Sequence, residues 1–539
     1  MSEFERWLTS ATDERVREEL LAVRDLPKEI EDRFYCALTF GTGGLRGVLG
    51  AGTNRMNVHV IARATAGLGE YLLQNGGKHV VIAYDSRRCS KEFAALSADV
   101  LSSKGIRVSL FSELTPTPVL SFAVRHLGAD AGIVITASHN PKEYNGYKVY
   151  NALGCQISED AASAITAQIE ACDYFDPFTP DAGLIQILGD DVAQAFLESC
   201  HSFSLTPITK ENAPRVVYSP LHGAGRRYVE EILARIGVDH VHTVAEQALP
   251  DPDFTTAPFP NPEERAALSL ALRDAELYRP DIVMATDPDA DRIGIALPDE
   301  NGEYRLLNGN ETGSLILRYL LERKRELGCL REGETVIKTV VTTDIVFSMA
   351  RAFGLEVREV LTGFKYIGEE MEKTPRFLLG MEESYGYLVG THVRDKDAVS
   401  AAMMLAQACA YYKEKGRTLY GELQELYREY GYYRTSLHSF TMKGKDGMER
   451  MRALIASLRL APPRAFEGQS LTFDDFGNGL NGLPPSDVLR FQNENCRIII
   501  RPSGTEPKIK LYLQVKGDTQ EAAQERLSRA ETFAKALLE

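Results

Sequence analysis

No two of the eight cysteines, at 36, 89, 155, 172, 200, 329, 409 and 496, stand at CxxC spacing. That argues against a structural zinc site and a stapled secreted fold, and it fits reduced thiols in the cytosol. No apolar run approaches the roughly 18–20 residues of a membrane-spanning helix. The opening MSEFERWLTSATDERVREEL is too charged for a signal peptide. Basic excess is missing as well: 61 Lys and Arg face 76 Asp and Glu, a formal charge of −15 at pH 7. Nucleic acids and anionic membranes reward a basic surface, so neither is expected as a partner. Low-complexity tracts and tight repeats are absent. Gly41-Thr42-Gly43-Gly44-Leu45-Arg46-Gly47 has no Gly-Lys-Ser/Thr ending and is not GxGxxG, which leaves nucleotide binding with little support. The expectation is a soluble cytoplasmic protein.

What is present is enough apolar sequence, 44% of 539 residues, for a sizeable core. At about 150 residues each, the length suggests three or four domains. Residues 1–35 read as one or two amphipathic helices. A rhythm then repeats: a short apolar strand, a polar loop, a helical stretch. KHVVIAY leads into Asp85-Ser86-Arg87-Arg88, AGIVIT into Ala137-Ser138-His139-Asn140-Pro141, and PRVVYS into Pro220-Leu221-His222-Gly223. DIVMAT leads into Asp287-Pro288-Asp289, and RFLLG into Met381-Glu382-Glu383-Ser384. This pattern predicts an α/β protein with parallel or mixed sheets covered by helices. Ligands in such sheets collect at the carboxyl ends of strands, where these loops lie. After about residue 435 the rhythm changes to a small α+β module: a Gly/Pro-rich stretch, the strand CRIIIRPSGTEPKIKLYLQV, and a charged closing helix.

Four loops offer chemistry. In ATDPDADRIGIAL, Asp287, Asp289 and Asp291 alternate between two apolar strands. Like charges this dense call for a cation, and oxygen-only ligands suit Mg²⁺. An EF-hand is excluded, because Arg292 stands where its turn glycine belongs and Pro298 where its glutamate belongs. An acidic surface turn is the plainer alternative; Arg292 beside the aspartates suits a metal site that also holds a phosphate. Ser138 could be a nucleophile if a base or metal activates it, with His139 and Lys148 nearby, although SHNP alone reads equally as a turn. No Gly-x-Ser-x-Gly elbow supports acyl transfer. Arg501-Pro502-Ser503-Gly504-Thr505-Glu506-Pro507 could cradle a dianion or be a simple turn. Gly380-Met381-Glu382-Glu383-Ser384-Tyr385-Gly386 suits sugar hydroxyls or a capped helix start.

Together and in this order, TASHNP (136–141), DPDADR (287–292), GMEESYG (380–386) and RPSGTEP (501–507) resemble the α-D-phosphohexomutase family, phosphoglucomutases and phosphomannomutases. GTGGLRG, TGFKYIG and VRDKDA add to the resemblance, which runs from about residue 40 to the C-terminus. It implies four domains around a central cleft, three related α/β units and a mobile phosphate-binding fourth. The expected bounds are 1–205, 206–310, 311–432 and 433–539. The resemblance further implies that Ser138 is a phosphoserine and that Asp287, Asp289, Asp291 and the seryl phosphate bind Mg²⁺. Glu382 and Ser384 would hold sugar hydroxyls, and Arg501, Ser503, Gly504 and Thr505 the non-transferred phosphate. Arg46, His139, Lys148, Arg292, Thr362, Gly363, Lys365 and Lys396 would line the transfer site, with His139 and Lys148 both candidates for the general base.

One departure bears on the substrate. Many phosphoglucomutases carry glycine directly before the Glu-x-Ser of the sugar loop, where this chain has Met381. With GTGGLRG, that looks like the branch containing phosphoglucomutases and phosphopentomutases. The expected reaction interconverts glucose 1-phosphate and glucose 6-phosphate through bound glucose 1,6-bisphosphate. Pentose or mannose phosphates are the nearest alternative substrates, and a metal-dependent sugar phosphatase or a non-catalytic sensor are alternatives of another class. Arg46, Lys148, Arg292, Lys365, Lys396 and Arg501 should then make a positive pocket in an acidic body.

Overall fold

Strands of Val, Ile and Ala hidden on both faces form the centres of the first two sheets, among them His79–Tyr84, Ala131–Ile135 and Ile282–Thr286, every residue of which is buried. Such strands need helices on both sides, and the sequence supplies them between successive strands. The computed structural model describes residues 2–442, 446–503 and 508–538. The first sheet runs Leu45–Val48, Tyr144–Asn151, Ala131–Ile135, His79–Tyr84, Arg107–Phe111, Ile185–Leu188. His79–Tyr84 pairs in parallel with both neighbours, while Tyr144–Asn151 is antiparallel to both of its own. The second sheet is ordered Tyr304–Leu306, Ile293–Pro298, Ile282–Thr286, Val216–Ser219, Val241–Thr243, and the third Glu356–Val360, Thr335–Thr339, Phe377–Glu382, Gly386–Val389. The fourth is antiparallel throughout, from Tyr432–Thr441 through Lys508–Gly517, Cys496–Pro502 and Leu489–Gln492 to Thr472–Asp475. The expected four-domain α/β architecture is present, with mixed sheets in the first three units and an α+β fourth.

Three readings are refined. The N-terminal stretch forms three helices, Glu3–Ser10, Glu14–Ala22 and Pro27–Phe34, rather than one or two. Ser2 and Glu5 form a capping box on the first, Asp13 caps the second, and Pro27 opens the third. Trp7 carries this segment into the first unit, fully buried against Phe34, His59 and Phe175. The single strand expected at 496–515 is a pair, Cys496–Pro502 and Lys508–Gly517. The loop GMEESYG is mostly strand: Gly380 to Glu382 end one strand and Gly386 starts the next. That outcome removes the capped-helix alternative.

One continuous apolar cluster links the first three units, and a second lies wholly within the fourth. Helix Ala398–Glu414, whose small Ala-rich surface admits close neighbours, is buried through Tyr412 and packs on helix Gly225–Arg235. The third and fourth units meet across Val341, Phe476 and Tyr512 and across a cation cluster in which Glu359 receives Lys338, Arg490 and Arg497 at 2.8–3.0 Å. No helix among the described residues is long and apolar enough to cross a membrane.

Candidate active site

The loop after Ala131–Ile135 turns back on itself at Ser138, whose φ of 53° lies in the left-handed region. Non-glycine residues reach that region at a cost, and the surroundings must hold them there. The Ser138 N–H donates to Thr136 Oγ1 at 2.8 Å. Arg87 does the rest. Its buried guanidinium donates to the carbonyls of Ser138, Asn140, Pro141 (2.9 Å) and Tyr144 (3.2 Å), pairs with Asp85 at 3.3 Å, and rests on the Phe254 ring. Replacing Arg87 by Met would strip these carbonyls of their guanidinium donor and leave buried Asp85 without its counter-charge. The expected cost is about 3–5 kcal/mol of stability, read by urea unfolding. A loss below 1 kcal/mol would show that the staple carries no structural weight.

So held, Ser138 Oγ donates to Asp287 Oδ2 at 2.7 Å and lies 3.1 Å from His139 Nδ1. Asp287, Asp289 and Asp291 are all buried, and each offers an oxygen within 4.8 Å of the others'. The loop is shaped by its own backbone, since Asp287 Oδ1 accepts the N–H groups of Asp291 and Arg292 at 3.1 and 3.0 Å. Domain-crossing bonds fix Asp289. Its Oδ2 accepts from Thr117 Oγ1 and from Lys148 Nζ, both at 2.8 Å, and its carbonyl from the Thr117 N–H at 2.9 Å. Lys396 Nζ lies 3.1 Å from Asp291 Oδ2.

Electrostatics make this cluster unsatisfied as it stands. Burial, with Asp289 and Asp291 close by, pushes the Asp287 carboxyl well above the usual carboxylate range. Burial and Asp289 likewise raise Asp291. Burial opposes ionisation of Asp289 too, but Lys148 and Thr117 outweigh it and hold that carboxyl low. Asp289 Oδ1 and Asp291 Oδ1 are buried with no hydrogen-bond partner among the described residues. Two orphaned carboxylate oxygens, Asp287 and the Ser138 hydroxyl form an all-oxygen donor set that fits a hard divalent cation such as Mg²⁺.

The cations around it are paired rather than free. Lys148 is held by Asp289, Lys396 by Asp395 and Asp291, and Arg292 by Glu263 at 2.8 Å. The expected positive pocket is thus a buried mosaic of alternating charge. His139 stays neutral: burial first, then Arg292, Arg46 and Lys148, lower it to about 2. Arg46 reaches Asn140 Oδ1 at 3.4 Å from the edge strand Leu45–Val48.

The Glu383-Ser384-Tyr385 turn joins strands Phe377–Glu382 and Gly386–Val389 beside this cluster. The second unit docks on it, with Arg292 bridging to Gly386 and the Ile293 N–H donating to the Tyr385 carbonyl at 3.2 Å. Gly386 has to be glycine, because a Cβ there would come within 2.3 Å of Lys396 Cδ and 2.9 Å of Glu382 Oε1. Burial raises Glu382 to about 7, with Lys396 opposing and Glu383 reinforcing, and Arg292 and Ser384 favouring the charged form.

Other expected site residues lie apart from the aspartates. Lys365 faces Glu159 of the first unit at 3.4 Å and the ring of Tyr366, next to Gly363 with its φ of 121° and the buried Thr362 hydroxyl. Arg501 stands opposite Lys510 on the neighbouring strand. Burial and Arg501 lower the Lys510 ammonium, whose neighbours include Glu383, Arg292 and Glu263, so this strand pair faces the sugar-loop turn. The Ser503 N–H donates to the Lys508 carbonyl at 2.7 Å, and Gly504 and Thr505 lie outside the described residues. Sequence reasoning missed Arg87, Thr117, Glu263 and Asp395. Only Arg87 and Asp395 carried a signal, in the strand-end loop DSRR and in VRDKDA.

Four family profiles match in chain order: phosphoglucomutase/phosphomannomutase alpha/beta/alpha domain I at 37–175, domain II at 194–302, domain III at 308–430 and the C-terminal domain at 441–532. The chain is 36% identical over 510 residues to a phosphoglucomutase of Staphylococcus haemolyticus, covering 90% of this chain and 92% of that protein. Its fold is similar to an open form of the exocytosis-sensitive phosphoprotein parafusin, a phosphoglucomutase from Paramecium (TM-score 0.72, 17% identity, 93% and 94% covered). A phosphoglucomutase/phosphomannomutase family protein of Burkholderia thailandensis is similar too (TM-score 0.68, 21% identity, 92% and 97% covered).

Proposed function

We propose that this chain, which belongs to the phosphoglucomutase/phosphomannomutase family, interconverts α-D-glucose 1-phosphate and glucose 6-phosphate through a phosphoserine at Ser138 and a bound glucose 1,6-bisphosphate. The family makes it a phosphosugar mutase, an intramolecular phosphotransferase. The sugar, the phosphoserine and the individual residue roles go beyond that family membership. The observation that carries it is the 2.7 Å contact between Ser138 Oγ and a three-aspartate cluster left unsatisfied by the protein itself.

Phosphoryl transfer depends on positioning and charge neutralisation. Ser138 Oγ, Asp287, Asp289 and Asp291 would hold Mg²⁺, which supplies neutralising positive charge beside the transferring phosphoryl group. Transfer breaks the bond between phosphorus and Ser138 Oγ and makes one to the free sugar hydroxyl, whose proton must leave to a protein base. Of His139 and Lys148, only His139, neutral and beside Oγ, has a lone pair to take it. Lys148, raised by Asp289 and Asp291 against the effect of its burial, is the cationic one of the two. Lys148, Arg292 and Lys396 surround the transferring group with positive charge. Glu382 and Ser384 accept sugar hydroxyls, while Arg501 and Ser503 hold the phosphate that does not move. After the bisphosphate turns over, the same steps in reverse return its other phosphoryl group to Ser138. Enclosure by the four units keeps water from intercepting the phosphoserine.

The test is a coupled assay of glucose 1-phosphate, mannose 1-phosphate and ribose 1-phosphate, with inorganic phosphate measured alongside. Glucose 1-phosphate should give the highest kcat/KM without stoichiometric phosphate release. A higher value for ribose 1-phosphate would reassign the substrate, and stoichiometric release would make the protein a phosphatase.

Glu382 adds a pH dependence. Its charged form accepts hydroxyl hydrogen bonds at both oxygens and more strongly than the neutral acid, so kcat/KM for the sugar phosphate should rise with pH through about 7. Glu382→Gln should flatten that limb and lower kcat/KM; an unchanged limb would remove Glu382 from the sugar site. For stability the sign is opposite. With its folded value raised from the ordinary 4.5 to about 7, the folded state binds the proton better, so this group's contribution falls as pH rises across that window.

A further inference from the structure

Strand Tyr144–Asn151 sends two side chains from the same face toward the aspartates, because residues two apart in a strand point the same way. Lys148 goes directly to Asp289 at 2.8 Å. Tyr150, fully buried, instead donates its hydroxyl to Asp395 Oδ2 at 2.7 Å, and Gln156 Nε2 donates to the same oxygen at 3.2 Å. The other oxygen of Asp395 accepts from its neighbour Lys396, from the backbone N–H at 2.8 Å and from Nζ at 3.0 Å. Lys396 Nζ is thereby shared almost equally between Asp395 Oδ1 at 3.0 Å and Asp291 Oδ2 at 3.1 Å. The Phe364 ring lies 5.5 Å from the ammonium. Tyr150, Asp395, Lys396 and Asp291 are all buried.

An ammonium on Asp291 is a competitor for that carboxylate. It holds Asp291 Oδ2 while Oδ1 is left for a divalent cation, and in a buried site its charge repels that cation strongly and draws on the same carboxylate. Asp395 offers the ammonium a second anion at the same distance, and its own position is set from the first domain by Tyr150 and Gln156. We propose that Asp395, held by Tyr150, is a positioning residue that draws Lys396 away from Asp291 and so frees that carboxylate to bind the metal. This rests on the reading of the aspartate loop as a cation site. It also makes metal affinity depend on the docking of the first domain against the third, since Tyr150 and Asp395 come from opposite sides of that contact.

The experiment is direct Mn²⁺ binding by electron paramagnetic resonance, without substrate, on protein matched for phosphorylation by intact mass. Asp395→Asn removes the charge that retains Lys396 and should weaken Mn²⁺ binding about 10–100-fold. Tyr150→Phe, a milder change that loses one hydrogen bond, should weaken it about threefold in the same direction. Adding Lys396→Met to Asp395→Asn removes the competitor and should restore much of the affinity, which a purely structural defect would not allow. Wild-type affinity in both single variants, or a double variant no better than Asp395→Asn, would overturn the proposal. Asp289→Asn is the control for the loop itself. If it binds Mn²⁺ as the wild type does, or if the wild type takes up none, the cation-site reading falls and this inference falls with it.

Discussion

Ser138→Ala is expected to lower mutase turnover by on the order of 10⁴-fold or more, because the proposed mechanism then lacks the atom that would carry the phosphoryl group. Sugar-phosphate binding should stay within about threefold of wild type, since the contacts proposed for it come from Glu382, Ser384 and Arg501, and a factor of that size is less than one hydrogen bond. The substitution is locally mild. The Ser138 N–H keeps its bond to Thr136, and Arg87 still holds the loop carbonyls. Asp287 Oδ2 loses its hydroxyl donor, at a cost of about 1–3 kcal/mol that urea unfolding would read separately from the kinetics. Intact mass gives an independent view: the wild type should carry a phosphoryl adduct of roughly 80 Da that the alanine variant lacks. Near-normal turnover in the alanine variant would sink the assignment of Ser138.

The second large effect is expected from Asp289→Asn. Asp289 is the carboxylate held from the first domain, with Lys148 and Thr117 on one oxygen and the other oxygen left bare. An amide can keep the Thr117 contact through its oxygen, but it removes the charge that Lys148 answers. Lys148 would then be left with Asp291, at 3.8 Å, as the carboxylate that still faces it. Metal affinity and turnover should fall together, by about 10²–10³-fold, the scale seen when a directed electrostatic contact to a transition state is lost. The measurement is activity as a function of Mg²⁺ concentration, with the half-saturating concentration rising alongside the fall in rate. A variant with wild-type Mg²⁺ dependence would take the aspartate loop out of the mechanism.

Much of the fold was legible because its signals are local. Apolar runs such as HVVIAY and IVMAT mark buried strands by composition alone, and the polar loops that follow them fall at carboxyl ends. The three aspartates were legible as a cation site because alternate carboxylates in one short loop repel each other wherever the loop lies. GMEESYG was harder. Its polar residues look like a loop, but pairing of Gly380, Met381 and Glu382 with Leu388, Tyr387 and Gly386 extends the strand through them. Register with a partner overrode local composition. Arg87 and Thr117 gave little away, because their partners lie far along the chain, 51 residues from Arg87 to Ser138 and 172 from Thr117 to Asp289.

The −15 charge argues against a polyanionic partner, and tertiary structure adds why local charge still matters. Residue type and spacing by themselves determined the chemistry available: a serine in a turn, three carboxylates in a loop, an acid–hydroxyl pair, an arginine near a glycine. Those properties belong to side chains and survive any fold. Only tertiary structure decided which of them meet. Ser138 reaches Asp287 across 149 positions. It does so because one apolar cluster packs the first three units together and brings the carboxyl ends of strands from the first two to one place. The same packing closes Asp291, Lys396 and Asp395 into a buried set whose charges have meaning only relative to one another.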